Sequence, residues 1–141
     1  MEVVHYSRGA FVNYMITIGD IKECNFFTGV PDSLLKPFID EIISSDHTHI
    51  VGTNEGQCIG IAVGAELAGK KTCVYLQNSG LGNIINPLTS LCLPHGICPL
   101  LVIGHRHTLP QHKIMGETDK QILDLIGYKN YILVEGSNNV K

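Results

Sequence analysis

The chain has 141 residues, 44% of them apolar and 16% charged, with a formal net charge of −3. That length and composition suit one packed domain and exclude intrinsic disorder. The lack of a basic run excludes a nucleic-acid footprint, and no apolar run approaches the ~20 residues of a membrane span.

The opening "MEVVHYSRGAFVNYMITIGD" has no basic region followed by an apolar core, so no signal peptide is expected. The cysteines at 24, 58, 73, 92 and 98 are odd in number and form no CxxC. They read as reduced, buried side chains of a cytoplasmic protein.

In chain order, Ser7 is placed to cap a first helix carrying Phe11, Met15 and Ile18 and closed by Gly19. "CNFFTGV" reads as a strand and "PDSLLKPFIDEIISS" as a helix. Its apolar stripe is Leu34, Leu35, Phe38, Ile42 and Ile43. Pro37 implies a broken first turn or a helix that restarts there. "HIVGT" is a strand and "NEGQCIGIAVGAELAG" a helix; "KTCVYLQ" is a strand and "GLGNIINPLTSLC" a helical stretch interrupted at Pro87. "CPLLVIG" is a strand, and "TDKQILDLIG" a helix with a capping-box pattern at Thr118 and Gln121 and a stop at Gly127. "NYILVEG" is the last strand. The strands are apolar on both faces, as in a parallel sheet covered on both sides. The expectation is a single domain over 1–141: a doubly wound, three-layer α/β/α fold with a mostly parallel sheet.

Ligands of such sheets bind at the carboxyl ends of the strands. Those ends hold "TGVPDS", "GTNEG", "LQNSGLGN" and "IGHRHTLPQH", the polar and glycine-rich stretches of the chain. Neither GxGxxG nor GxxxxGK[ST] occurs, which speaks against dinucleotide or P-loop binding. Glu55 begins an apolar helix whose Gly56, Gly60 and Gly64 line one face. It is either a first-turn acid serving the helix dipole or a catalytic group on a rigid element. The glycines imply close packing, within the domain or against a neighbour. Asp32 reads as a helix cap or a functional acid. Asn78 and Ser79 could simply satisfy backbone groups at a turn. His105, His107 and His112 flank Arg106, a natural fork for an anion. A His-x-His pair without a third ligand at zinc-like spacing does not make a metal site, and "CLPHGIC" fits no zinc pattern. No metal ligands are expected in this chain.

"FFTGVPDSLLKPFIDEI", "NEGQCIGIAVGAELAGK" and "VYLQNSGLGNIINPLTSL" resemble the pyrimidine-binding (Pyr) domain of thiamine-diphosphate-dependent 2-oxo acid decarboxylases, within the phosphonopyruvate and sulfopyruvate group. The resemblance spans about residues 8–127. It implies that Glu55 contacts N1′ of the cofactor's aminopyrimidine and favours the imino tautomer that deprotonates the thiazolium C2. The thiazolium then serves as electron sink for loss of CO2. It places Asp32 near the reacting centre, for proton transfer or substrate orientation. Val30, Pro31, Asn78, Ser79, Gly80 and Leu81 fall beside the cofactor. His112, in "PQH", falls near the substrate entrance, with Arg106 and His105 as further substrate-binding candidates.

The loop "HRHTLPQH" is shorter than the one that usually precedes "PQH" in the family. The GDG…N motif that holds diphosphate and Mg²⁺ is absent. The resemblance therefore implies a partner, either a diphosphate-binding beta subunit or a C-terminal domain, in a homo- or hetero-oligomer. Phosphonopyruvate is the expected substrate. The alternatives are a sulfopyruvate decarboxylase alpha subunit and a non-catalytic module of the same fold.

Overall fold

A computed structural model describes residues 8–135; the proposed cap Ser7 lies outside them. Six strands form one sheet: β1 (Ala10–Val12), β2 (Phe26–Gly29), β3 (Thr48–Val51), β4 (Thr72–Gln77), β5 (Leu100–Gly104) and β6 (Tyr131–Val134). Their spatial order is β1-β6-β5-β4-β2-β3, and every pairing is parallel. The helices are α1 (Lys36–Ser44), α2 (Glu55–Leu67), a segmented run of α3 (Ile85–Pro87), a π turn (Leu88–Cys92) and α4 (Leu93–His95), and α5 (Lys113–Ile126).

The strand order decides which face each helix covers. The chain moves outward from β1 to β2 to β3, then reverses and returns through β4, β5 and β6. Right-handed crossovers taken in opposite directions lie on opposite faces. Accordingly, Ile16 and Ile21 join the α1 residues Leu35, Phe38 and Ile42 in one buried cluster. Residues of α2, the π turn and α5 (Ile59, Leu88, Leu123) fill the other. The strands feed both clusters alternately: Cys73 and Tyr75 on the first face, Val74 and Leu76 on the second. Each fully buried large apolar side chain contributes about 1.5–3 kcal/mol. The fold is the expected doubly wound α/β/α sandwich.

Four local expectations are corrected. The first segment is not a helix. Ala10–Val12 adds a sixth strand at the sheet edge by pairing with β6, and only Ile18–Ile21 is helical, as a 3₁₀ turn. Backbone pairing with β6 outweighs the weak helical spacing of a short, half-exposed stretch. The last helix begins five residues before Thr118, whose hydroxyl donates to the Ile114 carbonyl at 2.7 Å instead of capping. Ile43 is 64% exposed; Ile39, at 7%, takes its place in the α1 stripe. Lastly, β3 has a neighbour on one side only, and its Ile50 and Val51 are exposed. Pro37 sits in the first turn of α1 after a 3₁₀ turn (Ser33–Leu35), and Gly127 closes α5 in the left-handed region, both as expected.

Candidate active site

Because all six strands run the same way, their carboxyl ends share one edge. Asp32 follows β2, Glu55 follows β3, Asn78 follows β4, His105 and Arg106 follow β5, and Glu135 follows β6. Two side-chain clusters form along this edge.

The first surrounds Glu55, the opening residue of α2. The capping work is done by its neighbours. Asn54 Oδ1 accepts from the Gln57 amide at 3.0 Å, and Gln57 Oε1 accepts from the Thr53 amide at 2.7 Å. The helix cap is thus Asn54, which serves the Gln57 amide, and not the Glu55 carboxylate. Glu55 is instead half-buried, and its Oε2 accepts from Asn83 Nδ2 at 2.8 Å. Its carboxyl group lies directly over Gly80, where an added Cβ would stand 2.6 Å from Cγ, Cδ and Oε1. A side chain at this position would displace the Glu55 carboxyl from where it lies. Gly80 belongs to a 3₁₀ turn (Asn78–Asn83) that buries Asn78, Gly80 and Leu81. Further along α2, a Cβ added at Gly60 or Gly64 would meet nothing within 4 Å among the described residues. Among the described residues, the close packing inferred from the glycine spacing is made at Gly56, where an added Cβ would stand 3.1 Å from the Asn83 carbonyl oxygen, and is not made at Gly60 or Gly64.

The second cluster surrounds Asp32. Its side chain makes no cap bond, so the helix-capping role does not apply. Oδ1 accepts from Arg106 Nε at 3.0 Å and Nη2 at 2.8 Å, and Nη2 also donates to Ser33 Oγ at 2.6 Å. Arg106, expected as a fork for an external anion, is bound to Asp32 and Ser33. Asp32 Oδ2 is buried without a partner and lies in contact with the Cα position of Gly104, which admits no side chain.

Behind this ion pair runs a buried chain of polar groups. Asn78 Nδ2 donates to the Arg106 carbonyl at 2.9 Å and to Asp119 Oδ2 at 3.0 Å. Asp119 Oδ2 also meets His105 Nδ1 at 2.5 Å. Asn78 Oδ1 is buried with no partner. Asp119 and Asn83 were not anticipated. Asp119 had a legible signal: it lies four residues before Leu123, on the buried stripe of α5, where an acid is out of place. Among the described residues, His105, His107 and Glu135 bring one ligating atom each within 4.8 Å of one another. Glu135 is brought to the two histidines by strand order, from the end of β6, and not by sequence spacing.

The other expected residues are placed as follows. Val30 is partly buried against the α2-side core, and Pro31 is exposed beside it. Ser79 Oγ accepts from Gln77 Nε2 at 2.8 Å. His112 ends a short 3₁₀ turn (Pro110–His112) leading into α5. The cysteines are free thiols, four of them buried. Burial pushes Cys24 up to about 12 and Cys92 to about 11, so neither is a nucleophile at neutral pH. Among the described residues no helix is long and apolar enough to cross a membrane.

The fold and this edge define an α/β domain with acids held at adjacent strand ends. A 2-oxoglutarate:ferredoxin oxidoreductase from Magnetococcus marinus, solved with 2-oxoglutarate, coenzyme A and succinyl-CoA bound, shares the fold. The TM-score is 0.58 at 14% identity, over 82% of this chain and 26% of that one. No protein-family model matches the chain.

Sequence relatives are more specific. A sulfopyruvate decarboxylase subunit alpha from Methanocaldococcus jannaschii is 38% identical over 79% of this chain and 70% of its own length. One from Methanococcus maripaludis is 39% identical over 72% of this chain and 64% of its own. Phosphonopyruvate decarboxylase of Streptomyces viridochromogenes is 42% identical over 69% of this chain, and the match spans 26% of that protein, about a quarter of its length. The chain belongs to the family of the sulfopyruvate decarboxylase alpha subunits, and its similarity extends to phosphonopyruvate decarboxylase.

Proposed function

We propose that this chain is the Pyr half of a thiamine-diphosphate-dependent decarboxylase. It converts phosphonopyruvate to phosphonoacetaldehyde and CO2 together with a diphosphate-binding partner. One observation carries the reading: Glu55 stands on the first turn of α2, relieved of capping duty, with its carboxyl laid over Gly80 and oriented by Asn83.

The residues present fit the cofactor. Glu55 offers a carboxyl at the mouth of the 3₁₀ turn, and Asp32 Oδ2 and Asn78 Oδ1 are buried acceptors still without donors. Buried polar atoms of this kind call for a partner. When bound, thiamine diphosphate supplies the electron sink for loss of CO2.

The chain's own residues then have distinct tasks. Glu55 would hold a proton toward the pyrimidine N1′ of the bound cofactor, and Asn83 fixes the rotation of its carboxyl group. The turn Asn78–Leu81, with Val30 and Pro31, walls the ring. Asp32 is assigned to proton transfer or substrate orientation, while Arg106 balances its charge and fixes its rotamer. His112 serves the entrance. His105, 5% exposed and paired with Asp119, is less available to substrate than the sequence suggests. Diphosphate and Mg²⁺ fall to the partner, since no GDG motif is present. The uncovered Gly60 and Gly64 face of α2 supports such a partner, as does the alpha-subunit naming of the relatives.

A second reading, decarboxylation of sulfopyruvate to sulfoacetaldehyde, is favoured by the larger share of the alpha subunits that the chain spans. The test mixes the chain with a candidate diphosphate-binding subunit, thiamine diphosphate and Mg²⁺, and assays both acids. Turnover of phosphonopyruvate that needs both chains supports the first reading, and turnover of sulfopyruvate alone selects the second. A confirmed complex that turns over neither acid overturns both.

A further inference from the structure

We propose that His105, His107 and Glu135 form a divalent transition-metal site of the zinc type, separate from the Glu55 cluster and independent of the decarboxylase reading. The three residues come from the ends of two neighbouring strands, β5 and β6, and offer ligating atoms within 4.8 Å of one another.

Proximity alone would be a weak argument, because exposed acids often lie near histidines. The decisive feature is what stands behind His105. Asp119 is fully buried and already accepts two N–H donors: Asn78 Nδ2 on Oδ2 at 3.0 Å and the Lys120 amide on Oδ1 at 2.7 Å. A carboxylate so served is an acceptor, so the His105 Nδ1 that meets Oδ2 at 2.5 Å carries the proton. That fixes the tautomer and leaves the Nε2 lone pair as the ligating one. A buried carboxylate behind a histidine is the arrangement that orients metal-binding imidazoles and raises their basicity.

The ring is also held mechanically. Phe11 meets it edge-on with centroids 4.8 Å apart, and the His107 ring lies 5.0 Å away at 30°. The His105 amide donates to the Val134 carbonyl at 2.8 Å, and the Glu135 amide to the Val12 carbonyl at 2.9 Å. The backbones beneath two of the ligands are therefore tied into the sheet.

Two imidazoles and one carboxylate match the donor set of zinc sites that keep an open fourth position. Tetrahedral zinc wants its ligating atoms roughly 3.3 Å apart, from metal–ligand distances near 2.0–2.1 Å. His107 and Glu135 are exposed, and reaching that spacing requires their side chains to turn toward the buried His105. Hard cations such as Mg²⁺ prefer an all-oxygen shell and fit this set poorly.

The test is equilibrium dialysis of the whole chain against ZnCl2, with metal counted by elemental analysis and with Co²⁺ as a spectroscopic probe. The expected result is one equivalent bound in the micromolar range or tighter, with a tetrahedral Co²⁺ spectrum. His107→Ala and Glu135→Gln alter exposed side chains and should leave the far-UV spectrum unchanged. Each should weaken binding about 100-fold, as should the conservative Asp119→Asn by about 10-fold or more. Absence of stoichiometric binding overturns the proposal. So does binding that survives His107→Ala at wild-type affinity, because the metal would then sit on other histidines or on cysteines.

Discussion

Glu55 and Asp32 are both acids at strand ends, yet they are held in opposite ways. Asp32 is saturated on one oxygen by Arg106, which in turn is tied to Ser33, with Asn78 and Asp119 behind. Glu55 has a single amide partner and is held by shape, against a glycine and at the start of a helix whose outer face is bare. A network fixes a charge at the cost of desolvating it, and removal of one member exposes the rest. A shape-held carboxyl keeps an oxygen in reserve for something outside the chain. The first arrangement suits a group that must stay put, and the second a group that must take up a partner.

Substitutions that strike one cluster and spare the other sharpen this contrast. The largest effect is expected from Glu55→Gln in the assembled complex. Decarboxylation should fall by about 10³-fold, within the range for loss of a positioned acid–base group, while assembly measured by sedimentation is unchanged. Activity within a few fold of wild type would remove Glu55 from the chemistry.

Arg106→Ala should act through stability. It leaves the Asp32 charge buried and unpaired, a loss of roughly 3–5 kcal/mol visible in urea melts of the chain alone. A melt shifted by less than about 1 kcal/mol, the scale of a surface pair, would show that the ion pair is solvated in solution.

Gly80→Ala should cost about 1–3 kcal/mol from overpacking against the Glu55 carboxyl, and lower activity more than Ser79→Ala does. Equal activities in the two variants would mean that the contact relaxes freely.

The smallest effect on the chain itself is expected from Gly60→Leu. Nothing surrounds that position, and replacing a helical glycine should stabilise the isolated chain by up to about 1 kcal/mol. The same variant should fail to bind its partner. A variant that pairs normally would show that the bare face of α2 is not the docking surface.

Much of this was legible in the sequence. Continuous apolar runs separated by helical patterns point to a parallel, doubly covered sheet, and the clustering of polar residues after each strand points to the edge on which the candidate site is built. Glu55, Asp32 and Asn78 stood out because each departs from the pattern around it. The missing pieces depend on distant pairing. β1 is three residues long and exists only because β6 lies beside it. The tie between Asp32 and Arg106 spans 74 positions, and Glu135 reaches the histidines only through strand order. Asp119 is marked in the sequence only by its spacing from Leu123, and its partners Asn78 and His105 are brought to it by the fold.

The 3₁₀ turn Asn78–Asn83 enters both clusters. Asn78 at its start braces Arg106 and Asp119, while Gly80 and Asn83 further on seat Glu55. Six residues thus act as a yoke between the two acids. A shift of this segment would reach Glu55 directly and Asp32 through the Arg106 backbone.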